Sequence, residues 1–141
     1  MKKELKSIML IDDNPDDNFI HERAIKKINS ESIITTKNSG VEALAYLKSM
    51  KSPHADLIFL DINMPEMNGW EFLAQYSKLD KELQCKAIII MLTTSDNADD
   101  ITRAKMQSLV TDFITKPLTK EKMSSICERY FISPCPHPPD Q

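Results

Sequence analysis

The sequence predicts an α/β fold, a five-stranded parallel sheet doubly wound with helices, and three observations point to it. Short apolar runs alternate with amphipathic stretches along the chain, the signature of repeated βα units. Three of those runs carry almost no polar residue, as strands covered on both faces require. Helix-start signals stand directly after the runs.

Five units are legible in order. The first strand is read over Ser7–Asp12; Asn14 then supplies a cap, Pro15 a first helical residue, and Asp16 and Asp17 charges that suit the helix dipole. Ile20, Ala24 and Ile28 form that helix's apolar stripe. The second strand, Ile33–Lys37, holds two threonines and a lysine, which suggests an edge position. Ser39-Gly40-Val41-Glu42 reads as a capping box ahead of Ala43, Leu44 and Leu47, and Ser52-Pro53 follows the helix it opens. The third strand, Leu57–Asp61, leads to Asn68, which precedes Glu71 at capping-box spacing before Phe72, Leu73 and Tyr76. The fourth, Ala87–Thr93, precedes a more polar helix with Asp99, Asp100, Ile101, Ala104 and Lys105. The fifth, Phe113–Thr115, precedes Thr119, the cap of a helix carrying Met123, Ile126, Cys127 and Tyr130. These stripes are read as core.

At 141 residues the chain fits one domain, and its net charge of −3 gives no general attraction to nucleic acid. The amino terminus is charged, and Ile8-Met9-Leu10-Ile11 is far too short for a signal peptide or a membrane span, so a cytoplasmic protein is expected. Residues 1–131 are read as the domain and 132–141, rich in proline, as a disordered tail. Cys85, Cys127 and Cys135 are widely spaced and odd in number, which suggests reduced thiols.

Five polar residues stand at the carboxyl ends of the predicted strands: Asp12 and Asp13, Asp61, Thr93 and Lys116. In an open α/β sheet those ends converge on one rim, where ligands bind. Three carboxylates gathered there repel one another, and a hard divalent cation such as Mg²⁺ relieves the repulsion. A cation on Asp13, Asp61 and a backbone carbonyl would keep positions open for a phosphate donor. In-line attack by Asp61 would then form an aspartyl phosphate, with Lys116 and the Thr93 hydroxyl placed to contact its oxygens.

The stretches Ile11-Asp12-Asp13-Asn14, Leu60-Asp61-Ile62-Asn63-Met64-Pro65-Glu66-Met67-Asn68-Gly69, Leu92-Thr93-Thr94-Ser95 and Lys116-Pro117 together resemble the receiver domains of two-component response regulators, over about residues 6–131. Stand-alone members such as the chemotaxis regulator are the nearest in kind. The resemblance implies a flavodoxin-like strand order 2-1-3-4-5 and a phosphoacceptor Asp61. It further implies direct Mg²⁺ ligands in Asp13 and the Asn63 carbonyl, a water-mediated one in Asp12, and a switch pair of Thr93 and Lys116. Phe113 stands where the family has an aromatic that moves with the switch, and Lys116-Pro117 resembles a bond that is cis in the family. Asn63 and Ser95 hold the positions that govern phosphoryl lifetime. Asp112 departs from the family, which often has Gly there.

The implied role is a signalling phosphoacceptor that catalyses only its own phosphorylation and dephosphorylation. Its donor would be a histidine kinase or histidine phosphotransfer protein and its output an unknown protein target. A monomer or a phosphorylation-dependent dimer is expected, with no nucleic acid and no membrane. A phosphatase of the haloacid dehalogenase type also uses a nucleophilic Asp, but Asn63 stands where that family's second acid would be. A pseudo-receiver usually lacks an acid or the lysine, and all five residues are present.

Overall fold

The computed structural model describes residues 4–49, 55–79, 87–94, 102–103 and 108–132. Its strands are β1 (Ser7–Ile11), β2 (Ile33–Lys37), β3 (Leu57–Asp61), β4 (Ile88–Thr93) and β5 (Val110–Thr115). Among the described residues four helices follow them: α1 (Pro15–Ile28), α2 (Gly40–Lys48), α3 (Gly69–Tyr76) and α4 (Lys120–Tyr130). Of the expected polar helix around Asp99 and Lys105 only Thr102 and Arg103 are described, and both are helical; the rest of it and the tail from residue 133 on lie outside the described residues.

All strand pairs are parallel and the order is β2-β1-β3-β4-β5, so β2 is an edge. Successive strand residues point to opposite faces, and two cores result. Met9, Ile11, Ile58 and Leu60 meet Ala43, Leu44 and Leu47 of α2 and Phe72, Leu73 and Tyr76 of α3. Ile8, Leu10, Leu57 and Phe59 meet Ala24, Ile25 and Ile28 of α1 and Met123, Ile126 and Cys127 of α4. With each such side chain worth about 1.5–3 kcal/mol on burial, β1 and β3 are held from both sides.

The helix starts are built as their caps require. Asn14 Oδ1 accepts from Asp16 N at 2.9 Å, and Asn68 and Glu71 form a complete reciprocal box. At α2 only half of the expected box forms: Ser39 Oγ accepts from Glu42 N, while Glu42 Oε1 accepts from Asn38 N instead of Ser39. The carboxylate reaches one residue further back and secures the turn preceding the cap.

Three sequence expectations are corrected. Ile20 is 48% exposed, and the buried stripe of α1 runs instead through Asn18, His21, Ala24, Ile25 and Ile28. Strand β5 begins three residues earlier than its apolar run, at Val110. Its pairing with β4 goes from Ile89↔Val110 to Ile90↔Asp112, so Thr111 is an extra, bulged residue. That insertion lets Val110 and Phe113, three apart, pack on the same core. Cys127 is disulfide-bonded rather than a reduced thiol.

Candidate functional site

The carboxyl ends of β1, β3 and β4 place the polar residues on one rim. Asp61 ends β3 and is 4% exposed; Asp12 follows β1 and is 2% exposed; Thr93 ends β4 and is fully buried. Asp13, next in the chain, is exposed. Carboxylate oxygens of Asp12, Asp13 and Asp61 lie within 4.8 Å of one another. Gly69 makes the packing behind Asp61 possible: its amide donates to the Ile62 carbonyl at 2.8 Å. A Cβ there would stand 2.7 Å from the Asp61 carbonyl oxygen and 3.0 Å from Ile62 Cα. Between Asp61 and α3 the chain turns through Glu66, whose φ of 67° lies in the left-handed region.

Lys116 reaches into this cluster from the end of β5, its peptide bond to Pro117 being cis. Its Nζ lies 2.7 Å from Asp12 Oδ2, 2.8 Å from Asp17 Oδ2 and 3.3 Å from Asp61 Oδ1. The shortest of these, to Asp12 Oδ2, joins two nearly buried groups of opposite charge. Asp12 Oδ1 is taken by the Asn14 amide at 3.0 Å.

The electrostatics follow from burial and crowding. Burial, then the Asp12 charge, push Asp61 up to about 6, against the opposing pull of Lys116. Burial pulls the Lys116 ammonium down, but the Asp12 and Asp17 carboxylates and the Asp61 charge outweigh it, and its pKa is raised. Negative charge therefore exceeds what one lysine neutralises. The donor set of three clustered carboxylates is oxygen alone, which is chemistry that fits a hard divalent cation.

Of the residues singled out from sequence, the structure brings Asp12, Asp13, Asp61 and Lys116 together. Thr93 adjoins them through its backbone carbonyl, which accepts from Lys116 N at 2.7 Å. Phe113 is half-buried on β5, opposite Met91 and three residues before Lys116. Asn63 is exposed, two residues beyond Asp61. Ser95 lies outside the described residues.

Sequence reasoning missed part of the α1 face. Asp17 has an adequate local explanation as a dipole charge, which hides its ion pair with Lys116. Asn18 is buried and donates to the Asp12 carbonyl at 3.1 Å. His21 is 2% exposed, its Nδ1 has no hydrogen-bond partner, and burial, then Lys116, hold its pKa below the ordinary value. The available signal was spacing: Asn18, His21, Ile25 and Ile28 fall at intervals of three and four, so the buried stripe begins with polar residues.

The family model of the response regulator receiver domain matches residues 8–128. The two-component response regulator ARR22 of Arabidopsis thaliana is 28% identical over 131 residues, 93% of this chain and 87% of that protein. A two component response regulator from Cytophaga hutchinsonii superposes with a TM-score of 0.81 at 26% identity, covering 90% of this chain and 97% of that one. The Mn²⁺-bound form of response regulator Rcp1 does so with a TM-score of 0.73 at 26% identity, covering 91% and 96%. Against a longer relative the share is small: this chain spans 7% of hybrid signal transduction histidine kinase L of Dictyostelium discoideum, at 26% identity and 91% coverage of its own length.

Proposed function

The chain belongs to the response regulator receiver domain family, and from that premise we propose that it accepts a phosphoryl group on Asp61 and changes its protein contacts in response. The observation that carries the reading is Asp61 itself, buried at the end of a central strand, with two more carboxylates within 4.8 Å and Lys116 Nζ at 3.3 Å. A carboxylate crowded in this way is desolvated and electron-rich, and it needs a positive partner on any phosphoryl group it takes up.

The donor in this reading is the phosphohistidine of a histidine kinase or phosphotransfer protein. An Asp61 carboxylate oxygen attacks phosphorus in line and forms the new P–O bond. The donor's P–N bond breaks and its electron pair returns to that imidazole nitrogen, so that, with the proton already carried by the other ring nitrogen, the donor departs as a neutral imidazole. Lys116 contacts a phosphoryl oxygen, and Thr93 contacts another from the end of β4. When bound, a divalent cation held by Asp12, Asp13, Asp61 and the Asn63 carbonyl supplies the positive charge that one lysine cannot. The Mn²⁺-bound Rcp1 structure supports this assignment by likeness of fold. Attack by water on the acyl phosphate ends the signal, with Asn63 and Ser95 controlling its approach.

Residues 1–131 form the receiver in this reading and 132–141 a tail. The exposed Phe19 and Ile20 of α1, at 60% and 48% exposure beside the rim, suit an apolar docking contact with the donor. The downstream contact is with another protein or a second copy. The reading also places the chain in the cytoplasm; a disulfide at Cys127 is uncommon in that compartment, so thiol counting in fresh extract bears on it directly.

Intact-mass measurement after incubation with a small acyl phosphate and Mg²⁺ tests the assignment. Wild type should gain one phosphoryl mass and Asp61→Asn none. An unmodified wild type, or a modified Asp61→Asn, overturns it.

A further inference from the structure

The Lys116 ammonium has three protons to donate and three carboxylates around it. Phosphoryl chemistry gives two of them a role, Asp61 as acceptor and Asp12 beside the cation. Asp17 has none. Yet its contact, at 2.8 Å, is shorter than the 3.3 Å contact to Asp61. The ammonium leans toward α1, away from the residue it is meant to serve.

Nor can Asp17 follow if the lysine moves. The first turn of α1 is stapled to the end of β1: Asn14 Oδ1 accepts from Asp16 N and Asp17 N at 2.9 and 3.4 Å. One residue on, Asn18 Nδ2 donates to the Asp12 carbonyl at 3.1 Å. Of the three contacts the one to Asp17 is a hydrogen bond, so a lysine that moves toward a phosphoryl oxygen on Asp61 must lengthen or break that bond. Asp12 would be among the residues that hold a divalent cation; Asp17, fixed on its helix, is the competitor that remains.

We infer that Asp17 is a positioning residue that competes with phosphorylated Asp61 for the Lys116 ammonium, a latch on the α1 side that sets the threshold of the switch. The inference rests on the reading that Lys116 contacts the phosphoryl group. Removing the latch frees Lys116 to move fully onto Asp61, and phosphoryl binding tightens. Asp16 is the internal control, because it sits in the same first turn and, among the described residues, makes no ion pair with Lys116. Its removal changes the charge of the turn by the same amount without touching the latch.

The experiment titrates beryllofluoride, a tetrahedral phosphoryl mimic that bonds to a carboxylate, with Mg²⁺ present, into wild type, Asp17→Asn, Asp16→Asn and Asp17→Glu. A part-exposed ion pair is worth about 1 kcal/mol, so Asp17→Asn should bind roughly fivefold more tightly. Asp16→Asn should match wild type, and Asp17→Glu should restore it. Crystal structures of the free proteins give the second readout: Lys116 Nζ, 3.3 Å from Asp61 in wild type, should close to about 2.8 Å in Asp17→Asn. Equal tightening in Asp16→Asn and Asp17→Asn, or an unmoved Lys116, overturns the latch. Should wild type take up no beryllofluoride, the phosphoacceptor reading fails, while the position of Lys116 in Asp17→Asn still decides whether Asp17 holds it.

Discussion

The backbone amide of Lys116 donates to the carbonyl of Thr93 at 2.7 Å, joining the ends of β4 and β5 at the rim. The two residues proposed to contact the phosphoryl group are therefore tied through main chain, so that a movement of either strand end would be felt by the other. Met91, two residues before Thr93, stands opposite Phe113 in the same ladder.

Thr93→Ala should separate chemistry from message. It leaves the acid cluster and Lys116 in place, so phosphoryl mass should be gained at a rate within a few-fold of wild type. It removes the proposed contact to the phosphoryl group, and only contacts that differ between two states shift their equilibrium. The Phe113 ring signals in NMR should respond to phosphorylation in wild type and far less in Thr93→Ala; an equal response in both refutes the assignment.

Asp61 makes stability depend on pH. Its folded pKa, about 6, lies above its ordinary 3.8, so the folded state binds the proton more tightly than the unfolded one between those values. The stabilisation from protonated Asp61 is present below pH 3.8 and is lost as pH rises through about 6. Without metal, Asp61→Asn should thus be more stable than wild type at pH 7.5, by about 2–3 kcal/mol. At pH 4 the advantage should nearly vanish. Urea unfolding at the two pH values measures it, and an advantage independent of pH counts against the raised pKa.

Cation binding should show in thermal unfolding. A ligand that binds only the folded state raises the melting temperature, so Mg²⁺ should stabilise wild type at pH 7.5 and less at pH 5, where protons compete for the same oxygens. Asp13 is exposed, and Asp13→Ala should keep metal-free stability while losing most of the Mg²⁺ response. Retention of the full response in that variant removes Asp13 from the ligand set.

Gly69→Ala should damage the site from behind. The new Cβ meets the Asp61 carbonyl oxygen at 2.7 Å and Ile62 Cα at 3.0 Å, backbone atoms that have little room to yield. A loss of about 2 kcal/mol and slower phosphorylation are expected. Gly40→Ala makes the useful contrast, since its Cβ would meet Met67 Sδ at 2.8 Å, part of a side chain that can swing aside. Equal losses in urea unfolding for the two variants contradict this reading.

The fold was legible where local and tertiary demands agreed. Asn14, Asn68 and Thr119 cap their helices as the sequence suggests, and Leu57–Asp61 is a strand with its predicted bounds. The acid cluster was legible because strand ends in a parallel sheet share one rim, whatever their separation in sequence. Elsewhere a local explanation masked a tertiary one. Asp17 satisfies the helix dipole and says nothing of Lys116, 99 residues away. Ile20 continues an apolar spacing, yet the helix turns His21 inward instead. The start of β5 was hidden by Asp112, a poor strand former whose carboxylate accepts from Tyr130 Oη at 2.9 Å and pairs with Arg129 at 3.3 Å.

The bulge at the margin of the sheet has a further consequence. β1 and β3 have ladder partners on both sides and their side chains are buried throughout. β5 pairs with β4 alone, is interrupted at Thr111, and keeps every side chain at least partly exposed. Opening free energies within one protein range from near zero to that of global unfolding, and such a strand belongs to the lower part of that range. Asp61 therefore sits in the part of the sheet with the higher opening free energy, while Phe113 and the approach to Lys116 sit in the part with the lower. A phosphoryl group on Asp61, as proposed, would be held rigidly and still be announced, because the strand that holds it and the strand that reports it differ in their freedom to open.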